Sequence, residues 1–363
     1  MKTSESILKE QLTNQAIPDK PITGPEVWRS EELRVDDCWI EWMSEADLKE
    51  LHSAVEIVKH RGLKLYEFGR EDFEIPNLSK RIANIMHNLE QGKGVTLLRG
   101  LDVDAYSYED LIRLYWGLGV HLGNPIHQNA RGDLIGSVRD AGGGHTLKQN
   151  NVRGYATNDP LPPHTDPSDA VALLCLRPAK QGGRTIFASA AAIFNEIRDK
   201  HPEYLPYLFH GFHFDLRGEG VSNDPNEVTH HPVPVYSWFA GRLSCRFNKN
   251  TIIRGQIKAG KPLEGPALSA VETVAALAMH PDFHIAMSFA PGDIQILCNH
   301  SIIHYREGFT DGESDGDKRH LLRIWVNLDE KHARPLDPLF ADRHNTGPRR
   351  GIMMRNNHFG WVP

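Results

Sequence analysis

Residues 161–187 read LPPHTDPSDAVALLCLRPAKQGGRTIF. His164 and Asp166 stand two apart at the head of an apolar run, and on an extended strand such residues project to the same side. A neutral imidazole and a carboxylate on one face are two of the three groups of the two-histidine, one-carboxylate arrangement, which holds Fe(II) and leaves positions open for substrates and O2. A match this short arises often by chance. A third ligand and a cosubstrate pocket must therefore come from elsewhere in the chain.

The candidate third ligand is His304, in the apolar segment Ser301-Ile302-Ile303-His304. So large a separation from His164 does not suit a zinc finger, but it is natural for a site assembled from opposite ends of a barrel. His300 competes, because His300 and His304 form H-x-x-x-H, which on a helix brings both rings to one metal. Ser301 occupies the place where the zinc-peptidase motif has Glu, and the β-rich surroundings do not supply the helix. Residues 311–319, DGESDGDKR, carry Asp311, Asp315 and Gly316 in calcium-loop order. Glu313 at the third position and Leu322 at the twelfth spoil that pattern, so a solvated hairpin loop is expected. Next, Arg319 and Arg323 stand four apart on one face of a predicted strand, facing either solvent or an anion. Two guanidinium groups in an apolar core are costly unless they meet anions, and guanidinium suits bidentate carboxylate recognition.

The whole chain sets the class. Its 363 residues are 40% hydrophobic and 24% charged, with a net charge of −6 and basic residues scattered rather than clustered. That argues against a nucleic-acid surface, although a pocket can still be locally cationic. Cys38, Cys175, Cys245 and Cys298 fall singly, as reduced thiols do in a cytoplasmic protein. Residues 1–15 lack the apolar core of a signal peptide, and no apolar run reaches membrane-spanning length.

Residues 1–35 are polar and carry Pro18, Pro21 and Pro25, which predicts an N-terminal arm lying on the surface. Ser44 and Asp47 form a capping-box pattern for a helix over 45–61, and a second helix is expected over 78–90. VTLLRG at 95–100 reads as a buried strand. A helix opened by Ser107 and Asp110 should be ended by the Gly117, Gly119 and Gly123 cluster. Periodicity fails over 125–163, which predicts a lid or substrate-facing loop, with His121, His127, Asn129 and Arg139 as candidates to face a substrate. Residues 188–200 read as helix, and helical character continues through HPEYLPYLF. Strand-like pieces follow around 210–216, 233–239 and 242–247, then a helix over 271–279. Two β-rich runs flank Pro291-Gly292-Asp293, and the last strand spans 320–328. The Pro/Arg/Asn-rich tail over 336–363 is a candidate to close over a site or to mediate association into a homo-oligomer. His230 and His231 read as an exposed turn, Trp238 and Trp325 as packing, and Cys175 as an inert buried thiol. Short strands with peripheral helices predict a mainly β protein with an α surround, an antiparallel double-sheet jelly roll with long insertions. A doubly wound α/β fold is the rival, but no G-x-G-x-x-G follows a strand.

Taken together, HTD at 164–166, GGRT at 182–185, PGD at 291–293, IIHYR at 302–306 and RHLLRIW at 319–325 resemble the taurine/dichlorophenoxyacetate dioxygenase family, which is also similar to clavaminate synthase. The resemblance covers roughly residues 90–330. It implies a double-stranded β-helix and Fe(II)- and 2-oxoglutarate-dependent oxidation by O2, releasing succinate and CO2 and hydroxylating a small anionic metabolite. It implies His164, Asp166 and His304 as iron ligands and Arg319, with Thr185, as the clamp on the distal carboxylate of 2-oxoglutarate. Arg323 matches a position that in several members meets the substrate's anionic group. The substrate-binding expectation therefore names Arg323, Asn129 and Arg139, within a single oxygenase domain over 36–335. His300 departs from the pattern, which has Asn there. Two rival functions stand beside this one: a noncatalytic jelly roll that binds a metal and an organic acid, and a zinc hydrolase. Loss of a ligand or of the oxoglutarate arginine would mark the first, and neither is lost. The second has no general-base Glu beside the ligands.

Overall fold

The computed structural model describes residues 16–142, 153–222 and 224–354. Two sheets face each other. The larger runs β1 (Ile40–Trp42), β2 (Val95–Arg99), β12 (Ile294–Cys298), β6 (Ala170–Arg177), β15 (His320–Asn327) and β3 (Asn124–Pro125), with β4 (Ile135–Val138) also paired to β15. The smaller runs β11 (His284–Met287), β8 (Thr185–Ser189), β13 (Ile302–Arg306) and β5 (Leu161–His164). Two short ribbons, β9 (Tyr236–Phe239) with β10 (Arg242–Cys245) and β7 (Gln181–Gly182) with β14 (Phe309–Thr310), complete the pairing among the described residues. Only β1 and β2 pair in parallel there, so the doubly wound alternative is excluded.

Alternation along β6 decides the layers. Val171, Leu173 and Cys175 meet Phe187, Ile285, Met287 and Ile302 of the smaller sheet, whereas Ala170, Ala172 and Leu174 face the opposite way, toward helices. That outer layer is α2 (Glu45–His60), α3 (Pro76–Gln91) and α4 (Tyr108–Leu122). The smaller sheet is backed by α5 (Ala190–Lys200), α6 (Leu205–His210) and α8 (Gly265–Met279), whose Ile193, Phe194, Leu208 and Val271 pack with Ala188 and Ile303. The expected cap of α2 forms: the Asp47 amide donates to Ser44 Oγ at 3.2 Å, and the Ser44 amide donates to the Asp47 carboxylate at 2.8 Å.

Several local expectations fail for tertiary reasons. Gly117 and Gly119 do not end α4 but lie inside it, where a Cβ would come within 2.5 Å of the Phe73 ring and 2.7 Å of Ile324 Cδ1. They are packing glycines, and Gly123 alone ends the helix. Residues 125–163 are not one long loop, because β3 and β4 add to the edge at β15, while 143–152 lie outside the described residues. The strands expected near 210–216 reduce to isolated bridges, Phe212 with Val233 and Asp215 with Val228. A helix that the periodicity did not announce, α7 (Lys249–Lys258), starts at Asn248, whose side chain accepts from the Thr251 amide. In the described part of the N-terminal arm, α1 (Ser30–Val35) and the residues before it bury Ile22, Trp28 and Leu33, with Trp28 edge-on to Phe187. His231 is buried against the Leu339 carbonyl, not exposed. No helix among the described residues is long and apolar enough to cross a membrane.

Candidate active site

β5 is the edge of the smaller sheet, which is why Pro162 and Pro163, unable to donate to a ladder, are tolerated in it. Its pairing with β13 sets His164 opposite His304, and the two rings lie 4.4 Å apart between centroids. Asp166 joins them by a different route from the pleat expected of the sequence. The strand stops at His164, the Thr165 amide donates to the Phe247 carbonyl at 2.7 Å, and the Asp166 amide donates to Asn299 Oδ1 at 3.0 Å. Asn299, at the end of β12, thus pins the turn that carries the carboxylate.

Ligand atoms of His164, Asp166 and His304 all lie within 4.8 Å of one another, and all three side chains are buried. Asp166 Oδ1 is 3.9 Å from His164 Nε2, and Oδ2 is 3.7 Å from His304 Nε2. His164 Nδ1 donates to the Pro162 carbonyl at 2.9 Å, which leaves its Nε2 lone pair facing the cluster. Burial pushes His164 below its usual range and pushes His304 down to about 3. Burial works against ionisation of Asp166, but Arg323 and the two imidazoles outweigh it and hold the carboxyl below its ordinary value. At neutral pH the cluster therefore presents two neutral imidazoles and one carboxylate, the forms a divalent metal binds. This donor set fits a non-haem iron centre. His300 is not part of it: its Nε2 lies 3.0 Å from Asp169 Oδ1, and burial pushes it down to about 4.

A second feature lies at the other end of β13. Arg319, just before β15, is 3% exposed, and one of its terminal nitrogens has no partner. Arg306 is equally buried; it donates to the Thr157 carbonyl at 2.8 Å but leaves its Nε and a terminal nitrogen unsatisfied. Burial lowers Arg319 to about 10 and Arg306 to about 9. Thr185 pairs with Arg306 across the strands, and Gly183, at φ 68°, lies so near that its Cβ would be 3.4 Å from Arg319 Nε. Buried guanidinium groups with orphan N–H donors fit an anion such as a carboxylate. Sequence reading missed Arg306, although its spacing of two from His304 on one strand was available.

A bulge between His320 and Leu321 spoils the simple four-residue face expected for Arg319 and Arg323. Arg323 Nε donates to Gln128 Oε1 at 2.7 Å, and Nη1 lies 3.5 Å from Asp166 Oδ1. Its guanidinium also lies 4.5 Å from the Trp325 ring centroid and 5.0 Å from that of Tyr155. The Asn129 amide is committed to its own turn, with Asp133 and the Arg131 amide as partners, and Arg139 is exposed; neither hydrogen-bonds to the triad or to Arg319. His121 bonds to the Phe73 carbonyl, and the His127 carbonyl accepts from Ile352.

A jelly roll with a buried cluster of two histidines and one carboxylate beside a separate anion pocket defines a non-haem iron oxygenase that uses a keto-acid cosubstrate. Residues 59–325 match the taurine catabolism dioxygenase TauD, TfdA family, and the chain belongs to that family. It is 33% identical to FR-33289 synthase of Streptomyces rubellomurinus (strain ATCC 31215) over 321 residues, 87% of this chain and 93% of that protein. Among solved structures, it resembles asparagine oxygenase in complex with Fe(II), 2S,3S-3-hydroxyasparagine and succinate at TM-score 0.63 and 17% identity, over 80% of this chain and 94% of the other. It also resembles the non-heme iron oxygenase OrfP in complex with Fe and alpha-ketoglutaric acid at TM-score 0.55 and 15% identity, over 80% and 94%. The protein is an Fe(II)- and 2-oxoglutarate-dependent dioxygenase on the jelly-roll fold expected from its sequence.

Proposed function

We propose that the enzyme hydroxylates an unactivated C–H bond of a small anionic metabolite, with His164, Asp166 and His304 holding the iron and Arg319, with Thr185, holding the distal carboxylate of 2-oxoglutarate. The observation that carries the assignment is the placement on β13 of a buried ligand, His304, two residues from a buried arginine, Arg306, that lies, as Arg319 does, beside the Phe309 ring. When bound, the iron supplies the O2 chemistry that couples oxidative decarboxylation of 2-oxoglutarate to substrate oxidation, yielding succinate and CO2.

The chain's own residues position and shield. His164 is fixed in orientation by the Pro162 carbonyl, and Asp166 is kept ionised by Arg323. Arg319 and Arg306 offer donors that a carboxylate can satisfy, and Gly183 leaves room beside them. Arg323, near Trp325 and Tyr155 and next to Asp166, is one group placed to steer an anionic substrate. We place the enzyme in the cytoplasm, consistent with four cysteines that are all free.

The test is spectroscopic and catalytic. Anaerobic addition of Fe(II) and 2-oxoglutarate to the folded protein should produce a weak visible charge-transfer band, and its absence would sink the assignment. A succinate-release screen over amino acids, sulfonates, carboxylates and aromatic acids, corrected for substrate-free turnover, then identifies the substrate class.

A further inference from the structure

Asp166 also forms part of the wall of a cavity lined by Arg217, Arg246, Arg343 and His344. These residues come from separate parts of the chain: a turn where Arg217 adopts φ 54°, the residue after β10, and the segment following α9 (Pro338–Ala341). Three carboxylates, Asp166, Asp215 and Glu219, also line the cavity, but each already meets another cation, Arg323, Lys258 and Arg153 respectively. Arg246 donates to the carbonyls of Asp342 at 3.3 Å and Arg343 at 2.8 Å and lies 4.6 Å from the Phe214 ring centroid, but it contacts no carboxylate. Arg217 is exposed, and its guanidinium makes no hydrogen bond or ion pair among the described residues, while the nearby Asp215 carboxylate is taken by Lys258 at 2.7 Å. Arg343 and Arg349 share the single carboxylate of Asp169. Arg153 is paired with Glu219.

His344 gives an independent sign. It is 6% exposed on the cavity wall, and its Nδ1 has no hydrogen-bond partner. Burial, and then the charges of Arg246, Arg343, Arg217 and Arg153, hold it well below its ordinary value, so it stays neutral and adds hydrogen-bonding capacity without charge. A buried cation without a carboxylate, as Arg246 is, and an orphan polar atom persist in a fold when a ligand meets them, and the exposed Arg217 lines the same cavity. A singly charged carboxylate would leave part of this surplus unmatched, whereas a doubly charged tetrahedral group offers oxygens to several guanidinium groups at once.

We propose that this cavity binds the anionic end of the substrate, a dianionic PO3 group carried as a phosphate monoester or a phosphonate, and thereby directs the rest of the molecule along Asp166 toward the iron; this rests on the oxygenase reading above. The C-terminal segment, through Arg343 and His344, then helps set specificity.

The test is calorimetric titration of the full chain, loaded with Ni(II) and saturated with 2-oxoglutarate so that the Arg319 pocket is filled. The probes are methyl phosphate, methylphosphonate, methanesulfonate and acetate. The dianions should bind at least about tenfold more tightly than the two monoanions, and Arg217→Gln should weaken them about tenfold or more at unchanged melting temperature. The tighter dianion assigns the O–P or the C–P linkage, and either supports the proposal. Equal binding of acetate, no dianion binding, or full retention in Arg217→Gln overturns it. If the Fe(II)/2-oxoglutarate band forms while no dianion binds, the pocket assignment falls and the oxygenase reading stands.

Discussion

The guanidinium groups of Arg306 and Arg319 lie 4.8 and 5.2 Å from the centroid of the same ring, that of Phe309. Two like charges beside one buried ring repel each other, and after burial itself the charge of Arg319 lowers the hold of Arg306 on its proton. That relationship supports the proposed carboxylate receptor rather than a structural ion pair.

Removing one arm of this receptor should therefore act on the cosubstrate. Arg319→Ala is expected to raise the half-saturating 2-oxoglutarate concentration by ten- to a hundredfold, from the roughly 1.5–3 kcal/mol of a charge-assisted hydrogen bond. Fe(II) binding should survive. Titrating the anaerobic charge-transfer band with each component checks this, and equal loss of both affinities would contradict the assignment.

His304 is buried with an unsatisfied Nδ1 and is pushed down to about 3, so it is held there at a cost to the metal-free protein. His304→Leu, of similar volume, is expected to abolish Fe(II) binding and succinate release while the metal-free melting temperature stays level or rises. Calorimetry with and without Fe(II) reads both effects, and a large drop in metal-free stability would argue for a structural role.

Gly117 supplies a case where two effects oppose each other. In an exposed helix, Gly→Ala gains about 1 kcal/mol of propensity. Here the new Cβ would lie 2.5 Å from the Phe73 ring, whose residue is fully buried, and overpacking costs about 1–3 kcal/mol. Gly117→Ala should thus be net destabilising in urea unfolding, whereas stabilisation would mean that Phe73 moves aside freely.

The metal-free fold should also be sensitive to acid. Burial pushes His300 and His320 down to about 4, so between that value and the ordinary 6.5 the unfolded chain binds protons that the folded one refuses. Stability is therefore full above about pH 6.5 and declines as pH falls toward 4, by at most about 1.4 kcal/mol per pH unit for each histidine. Unfolding free energy measured across that range should show this slope, and His320→Gln should flatten it by about one proton's worth.

Local chemistry determined much of this protein in advance. The capping box at Ser44 and Asp47 forms as its side chains require, and the apolar alternation of β6 sorts Val171 and Cys175 from Ala172 and Leu174 as a two-residue period demands. The residues of the triad can be picked out from HTD and IIH because ligand type is written in single residues, while RHLLR by itself leaves Arg319 open between solvent and an anion. What only the tertiary structure decided are relations between distant segments. Asp166 reaches the cluster through the Asn299 side chain, and Gly117 is a glycine because Phe73 presses on it. Arg306 meets Arg319 through Phe309, and Arg343 and His344 come from an aperiodic tail to the cavity beside Asp166. No local pattern encodes these meetings, since strand register and packing across the sheets bring the partners together only once the two sheets have closed on each other.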